Sequence, residues 1–597
     1  MEAMLENGSR LADRFLKIGI TACFVVPALT WSDLVPERFM APKDAVGMLF
    51  VGILVLSIAV QAVTNAPQPI WGKWPGQLLG VPFYAALLSS RGGVRSEVFF
   101  IQPTLGGLLK LSGFLGLFGA VWSNPRPWRF STAILVAGVL NALMALTQSA
   151  GMETFWSTAR EGRHVVYGMF GNPNLLAEYL APLAILGFSA SLVARERFWR
   201  GCAGGATVLF LIVILLTETR AAWVGLLAGF TVLVFLAGAG RIRKLVFGAI
   251  AVAMIAISAW APLRSRVLLG FSGNDPGVAT RTFMWRVAAA MFKDHPVLGV
   301  GVGGYGLRYL DYAAKVQEAG QGRPQYAGIT AQAHCDPLQE VAEGGMLGAV
   351  VWIALSVFLL VRALSGMPGV LGRDRIVKAT GLAIAATVLA ESTVGFPLRS
   401  FPTACLLLWG IAVAARPPVF LPSKPIQKWW GLSVGVLAIG WGTAVAHGFL
   451  ADAYGVAGRD RPDGAAILER GLKLSPDLGE LRFRLGIARM REGRMDEAAK
   501  EFERALPVYP DPDVRFNLGY IALQKKDYPK AEEWFREGLR RYPYFKAPAW
   551  ADYALALNGL GRREGARQAA ERALEIDPGL GRARVFLTEL DKKGRRN

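Results

Sequence analysis

Up to about residue 450 the chain alternates apolar runs of about 16 to 22 residues with short polar loops; beyond that point charges are dense and no run is long enough to span a bilayer. A membrane helix needs roughly 20 apolar residues to cross about 30 Å of hydrocarbon. The runs predict 13 spans, at 16–32, 45–63, 76–90, 101–122, 131–149, 174–194, 203–218, 221–238, 245–261, 345–363, 378–396, 400–415 and 429–449. The fold predicted is all-α: a polytopic membrane helix bundle over 1–450, followed by a separate helical domain over 451–597. The longest polar break in the bundle is the loop 262–344. The first span, which no small-residue cleavage site follows, is expected to stay as an anchor.

Basic loops set the orientation. Arg10, Arg14 and Lys17 precede the first span and put the N-terminus in the cytoplasm. The loops carrying Arg126 and Arg129, Arg195 to Arg200, Arg241 to Lys244, Arg362 to Lys378, and Lys424 and Lys428 then all fall on the cytoplasmic side. This phase places the loop 262–344, the loop 150–173 and the turn Glu218–Arg220 outside the cytoplasm. An odd number of spans places the C-terminal domain outside as well.

That domain repeats itself. Pro476, Pro510, Pro543 and Pro578 recur at intervals of 34, 33 and 35 residues. Leu485-Gly486 and Leu518-Gly519, the alanines 498, 531 and 566, and Phe502 and Phe535 keep the same phase. The pattern resembles the tetratricopeptide repeat, in which paired antiparallel helices stack into an α-solenoid. About three repeats fit between 478 and 590, after a half unit. Such arrays bind peptides or partner domains, so a protein partner is expected here.

Composition adds exclusions. The net charge of +20 first suggests nucleic acid, but Lys and Arg concentrate in the cytoplasmic loops of membrane proteins, and no nucleic-acid partner is read. Four scattered cysteines form no CxxC and no disulfide framework. No phosphate loop and no HExxH are present, so neither a cofactor nor a metal is expected. The run Gly299-Val-Gly-Val-Gly-Gly304 matches GxGxxG without a βαβ unit and reads as a turn before a helix.

The polar residues predicted on the outer side are the candidates for chemistry. Arg220, at the junction of two spans, is either an interfacial anchor or an anion clamp, since a guanidinium grips phosphate with two parallel hydrogen bonds. Arg281 and Arg286 flank Trp285 on an amphipathic helical stretch suited to the head-group level. His334, before Cys335-Asp336-Pro337, is either a helix-start residue or a base able to accept a hydroxyl proton at neutral pH. Asn172 and Asn174, around Pro173, read first as helix caps and second as substrate contacts.

Taken in order, Gly171-Asn-Pro-Asn174, Arg220-Ala-Ala-Trp223, Arg281 with Trp285, Asp294-His-Pro296 through Gly301, Ala333-His334 and Glu343-Gly-Gly-Met-Leu-Gly348 resemble the O-antigen ligase/polymerase superfamily of bacterial envelope glycosyltransferases. The motifs cover about 170–400. Two positions depart from the family: Cys335 stands where members often have Asn, and Thr219 where they often have Ser. The resemblance implies a GT-C-like bundle in the bacterial inner membrane. It implies transfer of a glycan from undecaprenyl pyrophosphate to an acceptor hydroxyl, with neither metal nor cofactor. Carried over, His334 is the catalytic base, and Arg220 and Arg281 hold the pyrophosphate, with Asn172, Asn174 and Arg286 in support. The acceptor is lipid A core, a growing glycan or a protein, so ligase, polymerase and protein O-oligosaccharyltransferase all remain open. The reading from another class is a non-enzymatic, membrane-anchored scaffold for polysaccharide assembly.

Overall fold

The computed structural model describes residues 17–30, 127–152, 163–237, 275–322, 330–415 and 446–594, apart from single positions within these ranges, plus a few short pieces. The spans predicted at 45–63, 76–90, 101–122, 245–261 and 429–449 lie wholly or largely outside the described residues.

The membrane part contains α1 (Lys17–Leu29), α2 (Ser131–Ser149), α3 (Pro173–Val193), α4 (Arg197–Thr217) and α5 (Arg220–Ala237). The polar loop contributes α6 (Pro276–Asp294) and α7 (Gly304–Glu318). Next come α8 (Asp336–Leu364), α9 (Gly372–Ser392) and α10 (Phe401–Ala414). Among the described residues, α2 with the turn before it, α3, α4 and α5 are the four helices long and apolar enough to cross a membrane. α8, bent by 66° within its length, makes a fifth when its two halves are counted as one span, and α1 and α10 are shorter apolar helices. Strand pairing among the described residues is confined to two contacts of two residues a side, Gln68–Pro69 with Phe420–Leu421 and Ala159–Arg160 with Arg163–His164.

Three helices outrun or fall short of the predicted spans, because hydropathy sees only the apolar part of a helix. α4 begins at Arg197, not 203, with exposed Phe198 and Trp199 in its first turn. α8 begins at Asp336, not 345, and its first turns carry Gln339, Glu340 and Glu343. α9 stops at Ser392, and a tight 3-10 turn, Pro397–Arg399, follows it.

Close approach holds the bundle. A Cβ added at Gly229 would lie 2.0 Å from Thr387 Oγ1, and one at Gly225 would lie 2.5 Å from Glu391 Cγ, so α5 and α9 meet backbone to side chain. Small residues at crossings are how membrane helices gain packing where lipid is as apolar as leucine. One end of the bundle is cationic. There Arg375 Nε donates to the Leu236 carbonyl at 2.7 Å, and Lys378 Nζ lies 3.5 Å from the carbonyls of Ala414 and Ala415. Both cations sit at helix C-termini, where the helix dipole favours them. The opposite end collects the N-termini of α3, α5, α8 and α10.

The loop is a folded unit with its own core. Phe283, Val287 and Met291 of α6 pack with Tyr305 and Tyr309 of α7 and Ala342 of α8. The glycine run is pinned to α8: Val300 N donates to the Ala342 carbonyl at 3.0 Å, Gly301 N to Glu343 at 2.9 Å, and Met346 N to Pro296 at 2.7 Å. This pairing needs two glycines with positive φ. A Cβ at Gly299 (φ 66) would lie 2.3 Å from the Glu343 carbonyl oxygen, and one at Gly345 (φ 60) 2.5 Å from that of Val297. Gly345 is also where α8 leaves helical geometry. The run is therefore the turn expected from sequence, and it braces the break in α8.

The C-terminal part is a stack of helix pairs. α11 (446–457) and α12 (Gly464–Leu474) lead in. They are followed by α13 (Gly479–Arg491) with α14 (Met495–Ala505), α15 (Asp513–Gln524) with α16 (Tyr528–Arg541), and α17 (Ala547–Gly559) with α18 (Arg563–Ile576). α19 (Gly581–Gly594) ends the stack. Gly486 lies under Phe502 and Gly519 under Phe535, the positions the repeat pattern picked out.

Candidate functional site

The site grows from the non-cationic end of the bundle. α3 starts with a cap: Asn172 is extended, its Oδ1 accepts from Asn174 N at 2.8 Å, and Pro173 fills the first helical position. Asn174 Oδ1 in turn accepts from Thr219 Oγ1 at 3.2 Å, which ties the start of α3 to the α4–α5 turn. Both asparagine Oδ1 atoms are thus engaged in holding the start of α3.

Arg220 opens α5 and forms a 2.7 Å ion pair with Asp275. Asp275 also caps α6, accepting from Gly277 N at 2.7 Å and Val278 N at 3.2 Å. Burial disfavours its charge, but the bond from Arg220 and the two helix N–H groups outweigh that, and its pKa is lowered. Asp275 therefore locks the loop's first helix to the N-terminal end of α5. Nothing in its sequence context marked it, because a lone Asp before Pro is an ordinary cap.

Arg281 lies on α6 beyond this cap. It is half-buried and makes no hydrogen bond or ion pair among the described residues. Burial, then the charge of Arg220, lowers its pKa, while Glu178 and Asp275 act the other way. Two guanidiniums near each other, one without a partner among the described residues, are an arrangement that an anion would relieve. Arg286, on the same helix, is exposed and donates to the Gln321 carbonyl. The structure does not bring it into the group formed by Arg220, Arg281 and His334.

His334 sits just before α8 with φ 53, a left-handed conformation rare for a non-glycine residue and a mark of imposed strain. Its ring meets Phe396 edge to face, centroids 4.6 Å apart. Its Nδ1 is buried without a partner among the described residues. Burial, then the charge of Arg281, pushes its pKa down to about 4. At neutral pH the ring is uncharged, with a lone pair to offer.

A bracket that sequence reasoning missed fixes this histidine. The turn after α9 puts Phe396 on the His334 ring, and Leu398 N donates to Asp336 Oδ2 at 3.0 Å. Arg399 spreads over three carboxylates of α8: Glu340 at 2.6 Å, and Asp336 and Glu343 at 3.5 Å each. Glu343 Oε2 also accepts from Gly303 N at 2.9 Å, at the start of α7. The available signal was Asp336, Glu340 and Glu343 on one helical face with one cation, Arg399, between two predicted spans. Cys335 takes the N-cap position of α8 without a side-chain cap bond, and Asp336 supplies acidity in the first turn instead. All four cysteines are free, and no group of three or more metal-ligating side chains exists among the described residues.

An apolar helix bundle with two neighbouring arginines and a buried histidine at one end, continued by a helical repeat array, is the class this geometry defines. Residues 205–353 match the family described as O-antigen ligase, and residues 450–512, 483–545 and 547–580 match tetratricopeptide repeats. The chain is similar to an exopolysaccharide production protein, ExoQ of Rhizobium meliloti (strain 1021), at 26% identity over 260 residues, or 41% of this chain. That match covers 56% of the relative's length. Among solved structures, MamA from Desulfovibrio magneticus RS-1 matches at 19% identity and a TM-score of 0.23, covering 26% of this chain and 86% of that one. The tetratricopeptide protein YrrB matches at 19% identity and a TM-score of 0.21, covering 26% of this chain and 84% of that one.

Proposed function

We propose that the protein transfers a glycan from a polyprenyl pyrophosphate, undecaprenyl pyrophosphate in a bacterial inner membrane, to an acceptor hydroxyl on the periplasmic face. The observation that carries this is the strained His334, held neutral by burial and Arg281, beside an Arg281 that has no hydrogen-bond or ion-pair partner among the described residues, with Arg220 next to it. The acceptor oxygen attacks the anomeric carbon and gives its proton to a His334 ring nitrogen. The bond from that carbon to the pyrophosphate oxygen breaks, and the leaving anion stays on Arg281 and Arg220. Cations placed where negative charge develops are the main source of such rate enhancement. They also supply the charge that a metal would otherwise bring. The pyrophosphate offsets the charge of Arg281, so donor binding raises the basicity of His334 when a base is needed. The proton then leaves to the released pyrophosphate or to water.

The same bundle supports one sidedness. The cationic end, with Arg375 and Lys378, faces the cytoplasm under the basic-loop rule, and the site faces outward. The predicted set of 13 spans, the GT-C-like layout and the periplasmic repeat domain complete this reading. The similarity to an exopolysaccharide production protein favours one second reading, in which the acceptor is a sugar hydroxyl of a growing polymer and the protein is a polymerase. The test is reconstitution in proteoliposomes with a polyprenyl-pyrophosphate glycan and, in parallel, lipid A core, glycan and protein acceptors. Glycosylated product that survives EDTA is expected. Intact donor with every acceptor would refute transfer and leave the scaffold reading.

A further inference from the structure

The repeat array touches the loop at one corner. Tyr542, at the end of α16, is buried in the loop's own core with Tyr305, Tyr309 and Met291. Beside it, Arg540 grips Glu318 with two bonds, at 2.5 Å and 2.9 Å, and Arg541 pairs with Asp311. Asp311 and Glu318 stand two helical turns apart, so they form one acidic stripe along α7. Arg541 is itself held in place: its NH1 lies 3.3 Å from Glu537 Oε2, and Arg515 of α15 reaches the same oxygen at 3.3 Å. Exposed ion pairs orient more than they hold, whereas a buried tyrosine holds. The corner has both.

We propose that this corner is a permanent docking surface whose partner is α7 of the same chain, which makes the repeat array a positioning part of the transferase rather than a freely tethered arm. α7 is preceded by its N-cap Gly303, whose N–H is bonded to Glu343. Glu343 shares Arg399 with Asp336, and Arg399 ends the turn that presses Phe396 on His334. A contiguous set of contacts thus runs from Tyr542 to the candidate base. The docking part stands on geometry alone; the positioning part rests on the transfer reading given above.

The two parts are tested separately on the full-length protein in membranes. In a Cys202→Ser background, Glu318→Cys with Arg540→Cys is treated with a short bis-maleimide. An intramolecular cross-link is expected, with none for a control pair of Glu318→Cys and Asp591→Cys at the far end of the array. Absence of the first cross-link overturns the docking whatever the enzyme does. Asp311→Arg and Arg541→Asp should each cut transfer about tenfold, and the double swap should restore it to within about threefold, since contacting residues are non-additive. Thermal midpoints should show the same non-additivity. Cross-linking with undiminished transfer in the single variants, or losses that simply add in the swap, would overturn the positioning role.

Discussion

The ring of His334 packs edge to face on Phe396, 4.6 Å between centroids, although the two residues stand on either side of the helix pair α8–α9. The contact buries one flank of the imidazole. Arg281 contributes a positive charge nearby, and together they hold the pKa of His334 near 4.

The pH dependence follows with a definite sign. The folded state favours neutral His334, so this group's contribution to stability is present above its ordinary value near 6.5 and is lost as pH falls towards about 4. If neutral His334 is the base, kcat/KM in the free enzyme should hold from pH 7 down to about 5 and fall through about 4. Arg281→Gln removes the neighbouring charge and should move that acid limb upward. A limb that stays fixed in the variant would show that Arg281 does not act on His334.

Arg220 and Asp275 join α5 to α6, and Asp275 has two duties. Asp275→Ala removes both the ion pair and the helix cap. Cap loss alone costs about 0.5–2 kcal/mol, so the thermal midpoint should fall. Asp275→Asn keeps an accepting oxygen for the cap and should recover much of that stability. Arg220→Ala should instead weaken donor binding, read as a higher KM for the lipid-linked glycan.

Gly299 and Gly345 are where the brace of α8 is built. Gly299→Ala adds a Cβ 2.3 Å from a backbone carbonyl at φ 66, so both contact and conformation resist it. Its destabilisation should exceed that of Gly320→Ala, where φ is 68 but nothing lies within 4 Å. The control should cost about 1 kcal/mol from the left-handed conformation. Equal effects in thermal unfolding would mean the brace carries no weight.

The side occupied by the repeats is open to a direct check. A tag after Asn597 should be digested by protease added to the periplasmic face of spheroplasts and protected in inverted vesicles. The reverse result would place the array in the cytoplasm and remove one predicted span.

Much of this arrangement was legible in sequence, for reasons that differ by element. The repeat helices were, because Gly486, Gly519, Phe502 and Phe535 recur in phase wherever helices touch. The spans around α2 to α5 were, because lipid demands unbroken apolar length. The glycine run read as a turn, and Gly299 and Gly345 show its physical basis in a backbone contact that no local pattern reveals. His334, Arg220 and Arg281 were singled out as scarce polar residues on one predicted face. What stayed hidden were partners set by tertiary approach. Asp275 looks like any cap, Phe396 like any apolar residue, and Arg399 like a short loop cation. Each owes its role to a residue far away in sequence: Arg220, His334, and the carboxylates of α8.

The central claim, that His334 takes the acceptor proton, is tested most directly by His334→Ala in reconstituted transfer from a polyprenyl-pyrophosphate glycan. Loss of a general base costs about 10²–10⁴-fold in kcat, with the donor KM little changed because the arginines remain. Transfer at the wild-type rate by the His334→Ala protein would contradict the account.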